Sequence, residues 1–436
     1  MNILLLAPYP PFPPYGGGTM RIYQIARGLA ARHAVTCLTF VPDDDAEQAL
    51  LPLHAICRVV TVRGPEQRSL TRRAWTTATA PLPDMALRNQ SPAYSAALAA
   101  LLAREQFDVV QAESIEMAAY LAAVHSAQSK VKSQSYAVKD AARSTHHFSA
   151  TLVLDQFNAE FVLQKRAART SLAALQQGRL TVRNGAGALY SLAQWLKLAR
   201  YERHVMRQCD LVLAVSDDDR RALQELANRA TIRVVPNGVD TSTFSRAALR
   251  KQHGGRFMFG PPTLVFTGTL DFRPNIDAIT WFVRQVLPHI QAVRPDVCLL
   301  IVGKRPSSAV RALASNTVIV TGEVPDARPY IASADVYVVP MRIGGGVRLK
   351  LLEALALETP VVSTAMGAEG VDGLRADEHC LLGTTPEVFA DAVLQLLDDP
   401  ALGARLGAAG RALVQAHYDW RTIIPRLEEL YTRSPR

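Results

Sequence analysis

Nothing in the spacing of the cysteines suggests that they pair. The five, Cys37, Cys57, Cys209, Cys298 and Cys380, are scattered without a Cys-x-x-Cys pair, which argues against a disulfide framework and a zinc site and points to a reducing cytoplasm. No apolar stretch approaches the roughly 20 residues that span a bilayer. The run 1–6 has no basic flank and meets Pro8 almost at once, so it reads as a first β-strand, not as a signal peptide or membrane helix. Charged residues are few, at 20%, and hydrophobic ones plentiful, at 49%, which excludes a disordered chain. The Gly-x-Gly-x-x-Gly fingerprint is missing, and no acid sits at the end of the strand expected over 35–40, which disfavours NAD binding.

What is present is a long alternation of short β-branched runs with segments of helical period, the pattern of parallel sheets with crossover helices. A chain of 436 residues is too long for one ordinary core and comfortable for two. Strands are expected over 2–7, 35–40, 58–62, 108–112, 151–156, 211–216 and 232–236, and again over 263–268, 297–303, 317–322, 335–340 and 360–364. The expected organisation is an α/β protein of two Rossmann-like domains with parallel sheets facing a central cleft: 1–236, carrying a surface insertion at 125–150; a turn-rich linker, 237–260; 261–410; and terminal helices, 411–436. The glycine-bearing 178–187 reads as a loop.

The net charge of +9 is unevenly placed: residues 125–207 hold thirteen Lys or Arg against four acids, together with Leu192, Trp195, Leu196 and Leu198. An anionic membrane surface or a phosphorylated acceptor fits this stretch. So does a solvated helical face with Trp195 in the core. Nucleic acid is disfavoured, because no binding motif accompanies the charge.

The strongest motif follows the strand at 335–340. Gly344, Gly345 and Gly346 come after a strand and before a helix, where backbone can approach a ligand and free N–H groups favour phosphate. Arg348 and Lys350 place positive charge at the start of that helix, opposing its dipole by roughly 0.3 to 1 kcal/mol. A bound diphosphate would remove the conflict. Glu353, further along, can accept both hydroxyls of a ribose; the alternative is a surface ion pair with Lys350. In the first half, Gly16, Gly17 and Gly18 precede Ile22, Ile25, Ala26 and Leu29 at helical spacing, a second loop that could take an anion or a sugar, or a plain structural turn. Asn158 and Glu160 stand at the end of the strand expected over 151–156, where α/β sites gather; they are candidate polar contacts or a helix cap. Glu113 and Glu116, after 108–112, are acceptor-side candidates.

Taken together, the glycine loop, the helix bearing Leu351-Leu352-Glu353-Ala354 and the run Thr359-Pro360-Val361-Val362-Ser363-Thr364 resemble the donor site of the retaining GT-B glycosyltransferases of family 4, also called group 1, nearest to the sugar transferases of exopolysaccharide assembly. Similar signals occur at 2–10, Ser216-Asp217, 236–240, Phe266-Thr267-Gly268 and Ile301-Val302-Gly303, so the likeness covers nearly the whole chain outside 125–150. The resemblance implies a cytoplasmic hexosyltransferase, possible peripheral contact with an anionic membrane, a nucleotide-diphosphate sugar as donor, and a polysaccharide, lipid-linked or other acceptor. It implies retention at the anomeric carbon with neither metal nor cofactor, the positive groups and helix dipoles stabilising the leaving diphosphate. Gly17 and Gly18 would meet donor phosphate, Arg348 and Lys350 would bind the diphosphate with Arg273 and Lys304 as further candidates, and Glu353 would hold the ribose. Glu160, Asn158 and Glu113 are the catalytic candidates. Two departures stand out: the family's first carboxylate falls on Gly345, and Phe157 stands where a histidine is usual. These keep two alternatives open, a non-catalytic sugar-nucleotide-binding module and a nucleotide-sugar 2-epimerase.

Overall fold

The computed structural model describes residues 1–14, 16–66, 68–137, 150–176, 182–253, 260, 262–344 and 348–433. Two compact units emerge, one of Met1–Val235 with Ile424–Arg436, the other of Pro236–Ile423.

The first unit is a parallel sheet of β1 (Asn2–Ala7), β2 (Ala34–Val41), β3 (Arg58–Arg63), β4 (Val109–Glu113), β5 (Thr151–Asp155), β6 (Leu211–Ala214) and β7 (Ile232–Val234), in the order β3-β2-β1-β4-β5-β6-β7. Every residue of β4 and β5 is buried. That is why these strands read as continuous apolar runs and not as alternating ones: helices cover both faces of a parallel sheet. Each fully buried Leu, Ile or Val contributes roughly 1.5 to 3 kcal/mol. The order reverses at β1, whose neighbours are β2 and β4, so a crevice opens at the C-terminal ends of β1 and β4.

The second unit repeats the plan with β8 (Thr263–Thr267), β9 (Cys298–Val302), β10 (Val318–Gly322), β11 (Val336–Val339), β12 (Val361–Ser363) and β13 (Leu381–Leu382), in the order β10-β9-β8-β11-β12-β13. Here the reversal lies at β8, between β9 and β11. All twelve expected strands are found; β13, two residues long, was not expected.

Several irregular segments differ from the sequence reading. The helix Ala118–Ala137 runs well into the expected insertion at 125–150, of which 138–149 lie outside the described residues. Of the expected loop at 178–187, residues 178–181 lie outside the described residues and 182–187 belong to the helix Val182–Met206. Residues 237–253 are packed, not free: Val239 N–H donates to Tyr418 O at 2.7 Å, Arg411 Nη1 donates to Phe244 O at 3.0 Å, and Arg246–His253 is a helix. Within 125–207, Leu198 is buried, Leu196 is exposed, and Trp195 lies partly buried with Lys165 Nζ 5.6 Å from its ring centroid. No helix among the described residues is long and apolar enough to cross a membrane.

The last helix, Trp420–Arg433, anchors to the first unit. Tyr431 Oη donates to Gln111 Oε1 at 2.6 Å in the core, and Arg32 pairs with Glu428. Before it, the helix Pro400–His417 carries Gly403, Gly407 and Gly410, all buried. They let it approach residues 355–360 closely: a Cβ on Gly407 would overlap the Glu358 carbonyl oxygen, and one on Gly410 would press on Leu355.

Gly407→Ala is therefore expected to destabilise the protein. Alanine favours a helix by about 1 kcal/mol over glycine, but overpacking against backbone costs about 1 to 3 kcal/mol or more. Thermal unfolding should show a lower Tm; a raised Tm would mean that the helices slide apart freely.

Candidate active site

In the second unit the crevice lies where β8 and β11 diverge, and four segments feed it. β8 ends in Phe266, Thr267 and Gly268, and the helix Arg273–Trp281 follows, with Asn275 buried in its first turn. β9 delivers Gly303, where a Cβ would overlap the Gly268 carbonyl, so only glycine permits this approach of the two strand ends. After β11 comes the glycine loop and the helix Leu349–Ala356.

Lys350 is drawn inward. Its Nζ donates to Asn275 Oδ1 at 2.9 Å and stands 4.1 Å from the centroid of the Phe266 ring. Asn275 is itself fixed by donating from Nδ2 to Thr269 O at 2.9 Å. Burial and the nearby Arg348 charge lower the Lys350 pKa to about 7, with Glu353 opposing. Burial raises the Glu353 carboxyl to about 7 as well, with Lys350 opposing. The surface ion pair considered for these two residues does not form: the lysine binds an amide, and both groups are desolvated. Arg348 caps the helix without a side-chain hydrogen bond to it, and its guanidinium lies against Gly344, whose φ of 121° favours glycine. Two cations at one helix start, one of them desolvated, can be neutralised by an anion. Arg273 is exposed on the first residue of its helix, and the Lys304 carbonyl accepts from Leu270 N–H at 2.9 Å. Gly345 and Gly346 lie outside the described residues. The Gly367 N–H donates to Thr364 Oγ1 at 3.0 Å.

In the first unit Gly17 opens the helix Gly17–Ala30 and is exposed. Gly18 has a packing reason to be glycine: a Cβ there would overlap the Tyr9 hydroxyl and meet the Phe157 ring at 3.2 Å. Asn158 Nδ2 donates to Glu160 Oε1 at 3.0 Å, and burial pushes the Glu160 carboxyl up. Glu116 accepts from Arg88 Nη1 at 2.8 Å and Asn89 Nδ2 at 3.1 Å. Burial, then neighbouring acids led by Glu116, push up the Tyr9 phenol, so this end of the sheet is rich in acids.

Glu113, expected to face an acceptor, is instead fully buried. It accepts from Gln111 Nε2 at 2.8 Å and lies beside Asp155, which binds Arg21 through Nε at 2.6 Å and Nη2 at 2.8 Å. Burial, then the Asp155 charge, raise the Glu113 carboxyl well above its ordinary range. Glu113 therefore keeps its proton and can donate it to Asp155, giving a charge-balanced core of Arg21, Asp155 and neutral Glu113. Ser114, next in the chain, has φ 77° and ψ 153°, strain of the sort found at functional turns.

Sequence reasoning missed Asn275, Arg21 and Tyr9. A polar residue in the first turn after a strand and glycine hints at the first, and Arg21 beside the buried Ile22 and Ile25 hints at the second. Among the described residues, no group of three or more His, Cys, Asp or Glu could hold a metal ion.

Residues 261–399 match the family described as glycosyl transferases group 1, and 181–243 the family described as glycosyltransferase family 4. A GDP-mannose-dependent monoacylated alpha-(1-6)-phosphatidylinositol monomannoside mannosyltransferase of Corynebacterium glutamicum is 31% identical over 50% of this chain and 60% of its own. A phosphatidyl-myo-inositol mannosyltransferase of Mycobacterium tuberculosis is 30% identical over 50% and 58%. The chain thus spans about 60% of the length of these curated relatives. Among solved structures, sucrose-phosphate synthase from Thermosynechococcus elongatus has a TM-score of 0.67 at 19% identity, covering 99% of both chains. Anabaena HepE in complex with UDP-glucose has 0.59 at 16%, covering 99% of this chain and 100% of that one. The fold is GT-B.

Two substitutions separate the roles in the buried cluster. Glu113→Gln is expected to cost less than about 1 kcal/mol near neutral pH, because an amide replaces an already neutral carboxyl. Unfolding frees Glu113 to ionise, so the wild type loses stability as pH rises from the unfolded value toward the raised folded one; the variant does not, and its relative stability should grow with pH. Asp155→Asn leaves Arg21 buried without its carboxylate and should cost about 3 to 5 kcal/mol by denaturant unfolding. Equal costs for the two would refute the protonation scheme.

Proposed function

We infer that this chain, which belongs through residues 181–243 and 261–399 to the group 1, family 4 glycosyltransferases, transfers a hexosyl group from a nucleotide-diphosphate sugar to a polysaccharide, lipid-linked or other acceptor. The observation that carries this reading is the desolvated Lys350 beside Arg348 at the reversal point of the second sheet. A pyrophosphate there meets both cations and the start of the helix Leu349–Ala356, and Glu353 takes the ribose hydroxyls. As the glycosidic bond breaks, negative charge builds on the departing diphosphate, and the fixed cations stabilise it without a divalent ion. With Gly345 in place of a carboxylate, no side chain is available there to form a covalent sugar intermediate. Front-side attack fits, with a leaving phosphate oxygen accepting the acceptor proton and the configuration retained. Asn158 and Glu160 orient the acceptor from the first unit. GDP-mannose is the first donor to test, since relatives near 30% identity are GDP-mannose-dependent mannosyltransferases. Their named acceptors favour a lipid-linked glycan, with peripheral membrane contact on the cytoplasmic side, over an exopolysaccharide chain.

The pKa values set a test. Bound pyrophosphate restores the charged form of Lys350, so above pH 7 donor binding takes up a proton and weakens by up to about tenfold per pH unit. Ribose hydroxyls donating to Glu353 favour its ionised form, so below pH 7 binding releases a proton. Calorimetry in buffers of different ionisation enthalpy should show an optimum near pH 7, with Lys350→Met removing the alkaline limb and Glu353→Gln the acid limb. The transfer rate in Lys350→Met should fall about a hundredfold or more. Affinity that is flat from pH 6 to 9, or transfer undiminished in that variant, would remove the assignment. Binding without turnover would identify a sugar-nucleotide module, and interconversion of donor epimers an epimerase.

A further inference from the structure

The first unit holds a cavity of about 490 Å³ that the donor chemistry leaves unused. Such a volume suits a small-ligand site. It opens where the segments after β1, β2 and β3 come together, on the far side of β1 from Asn158 and Glu160, which follow β5. One wall is formed largely by prolines and Phe40 and is poor in donors, because proline has no N–H. The other wall carries Arg68, Arg73 and Arg88 around a single buried carboxylate, Asp84.

Asp84 cannot satisfy all three. Arg68 Nη2 takes its Oδ1 at 2.6 Å and its carbonyl at 3.0 Å, and is itself mostly buried. Arg73 and Arg88 share the other oxygen at 3.3 and 4.0 Å, and their side chains remain 43% and 51% exposed. A guanidinium has five donors. Arg88 spends one on Glu116 at 2.8 Å, and Arg73 is drawn toward Asp84 and Tyr190, which leaves donors on both for a ligand. The acids facing this wall are Asp84 itself, Glu66, which is exposed, and Glu116 behind Arg88. A planar carboxylate is served by one guanidinium fork, whereas Asp84 has one oxygen taken by Arg68 Nη2 and the other shared by Arg73 and Arg88. Two further guanidiniums, presented from the separate helices Leu70–Thr79 and Asp84–Arg88, are bridged better by a tetrahedral oxyanion, whose oxygens diverge.

We propose that this cavity seats a phosphate ester on the acceptor, held between Arg73 and Arg88. This rests on the glycosyltransferase reading and specifies its acceptor. The arginine wall is also linked to the polar pair after β5: Arg88 and Asn89 hold Glu116, and the charge of Glu116 acts on Glu160, the partner of Asn158.

Crystals of the full chain soaked in tungstate, a tetrahedral oxyanion located by its anomalous signal, are expected to show density between Arg73 and Arg88. Glycerol 1-phosphate, titrated with inorganic pyrophosphate present to fill the second unit, should bind at least tenfold more weakly to the Arg73→Gln, Arg88→Gln double variant, while pyrophosphate binding stays unchanged. The Arg73→Lys variant, which keeps the charge but loses the fork, should show an intermediate loss and guards against misfolding of the double variant. If the phosphate belongs to a lipid, phosphatidylglycerol vesicles will retain the wild type and lose the double variant. If it belongs to a soluble ester, the two will be retained alike. Tungstate found only beside Lys350, an unchanged glycerol phosphate affinity, or methyl glucuronide binding as tightly as the phosphate would overturn the proposal and leave the donor reading standing. Failure of pyrophosphate and sugar nucleotides to bind beside Lys350 would overturn that reading instead.

Discussion

The contact between Lys350 Nζ and Asn275 Oδ1, over the Phe266 ring, ties together the parts on which the second unit's chemistry depends. It joins the helix after β8 to the helix after β11, across the point where the strand order reverses. The fold holds a lysine there away from bulk water and supplies it with a neutral partner, not a counter-ion. That arrangement costs free energy in the empty protein. On the proposed reading, a bound diphosphate offsets that cost, and charge developing on it is met by groups already in place. Gly268 and Gly303 serve the same end, because their missing side chains let the ends of β8 and β9 close beneath the lysine.

The first unit uses the same topology for a different electrostatic purpose. Its reversal point is floored by Arg21, Asp155 and Glu113, a group made nearly neutral by internal pairing and a retained proton. Above this floor lie Tyr9, Glu116 and Glu160. The end of this sheet is thus acid-rich over a balanced base, whereas the crevice of the second unit is cation-rich. The electrostatic difference between the ends of two similar sheets therefore arises from a few side chains at strand ends and not from the architecture.

The strands were legible because a sheet buried on both faces leaves uninterrupted apolar runs; β13 escaped because two residues carry no periodicity. Lys350 and Glu353 were legible as a motif, since cations at a helix start contradict local stability and so suggest a ligand. Their burial was not, because Lys350 is enclosed by residues remote in sequence, Phe266 and, 75 residues away, Asn275. Glu113 shows the opposite limit. Its position at a strand end was read correctly, but spacing cannot tell that Gln111 and Asp155 would enclose it and leave it protonated. The arginine-lined cavity was invisible for a related reason: its walls come from three strand ends and two short helices between residues 8 and 89. Gly18 carried a functional expectation, yet the Tyr9 hydroxyl alone suffices to explain it.

The first unit is discontinuous in sequence: it is left at Val235 and re-entered at Ile424. During synthesis the second unit, being one continuous stretch, can complete its fold as soon as it leaves the ribosome. The first cannot, because Gln111 waits for Tyr431 and the residues around Gly28 wait for Ile424. Of the two, the unit whose strands are made earlier is thus the one completed later, and until Ile424 has been made the helix Gly17–Ala30 lacks the side chain that packs on Gly28.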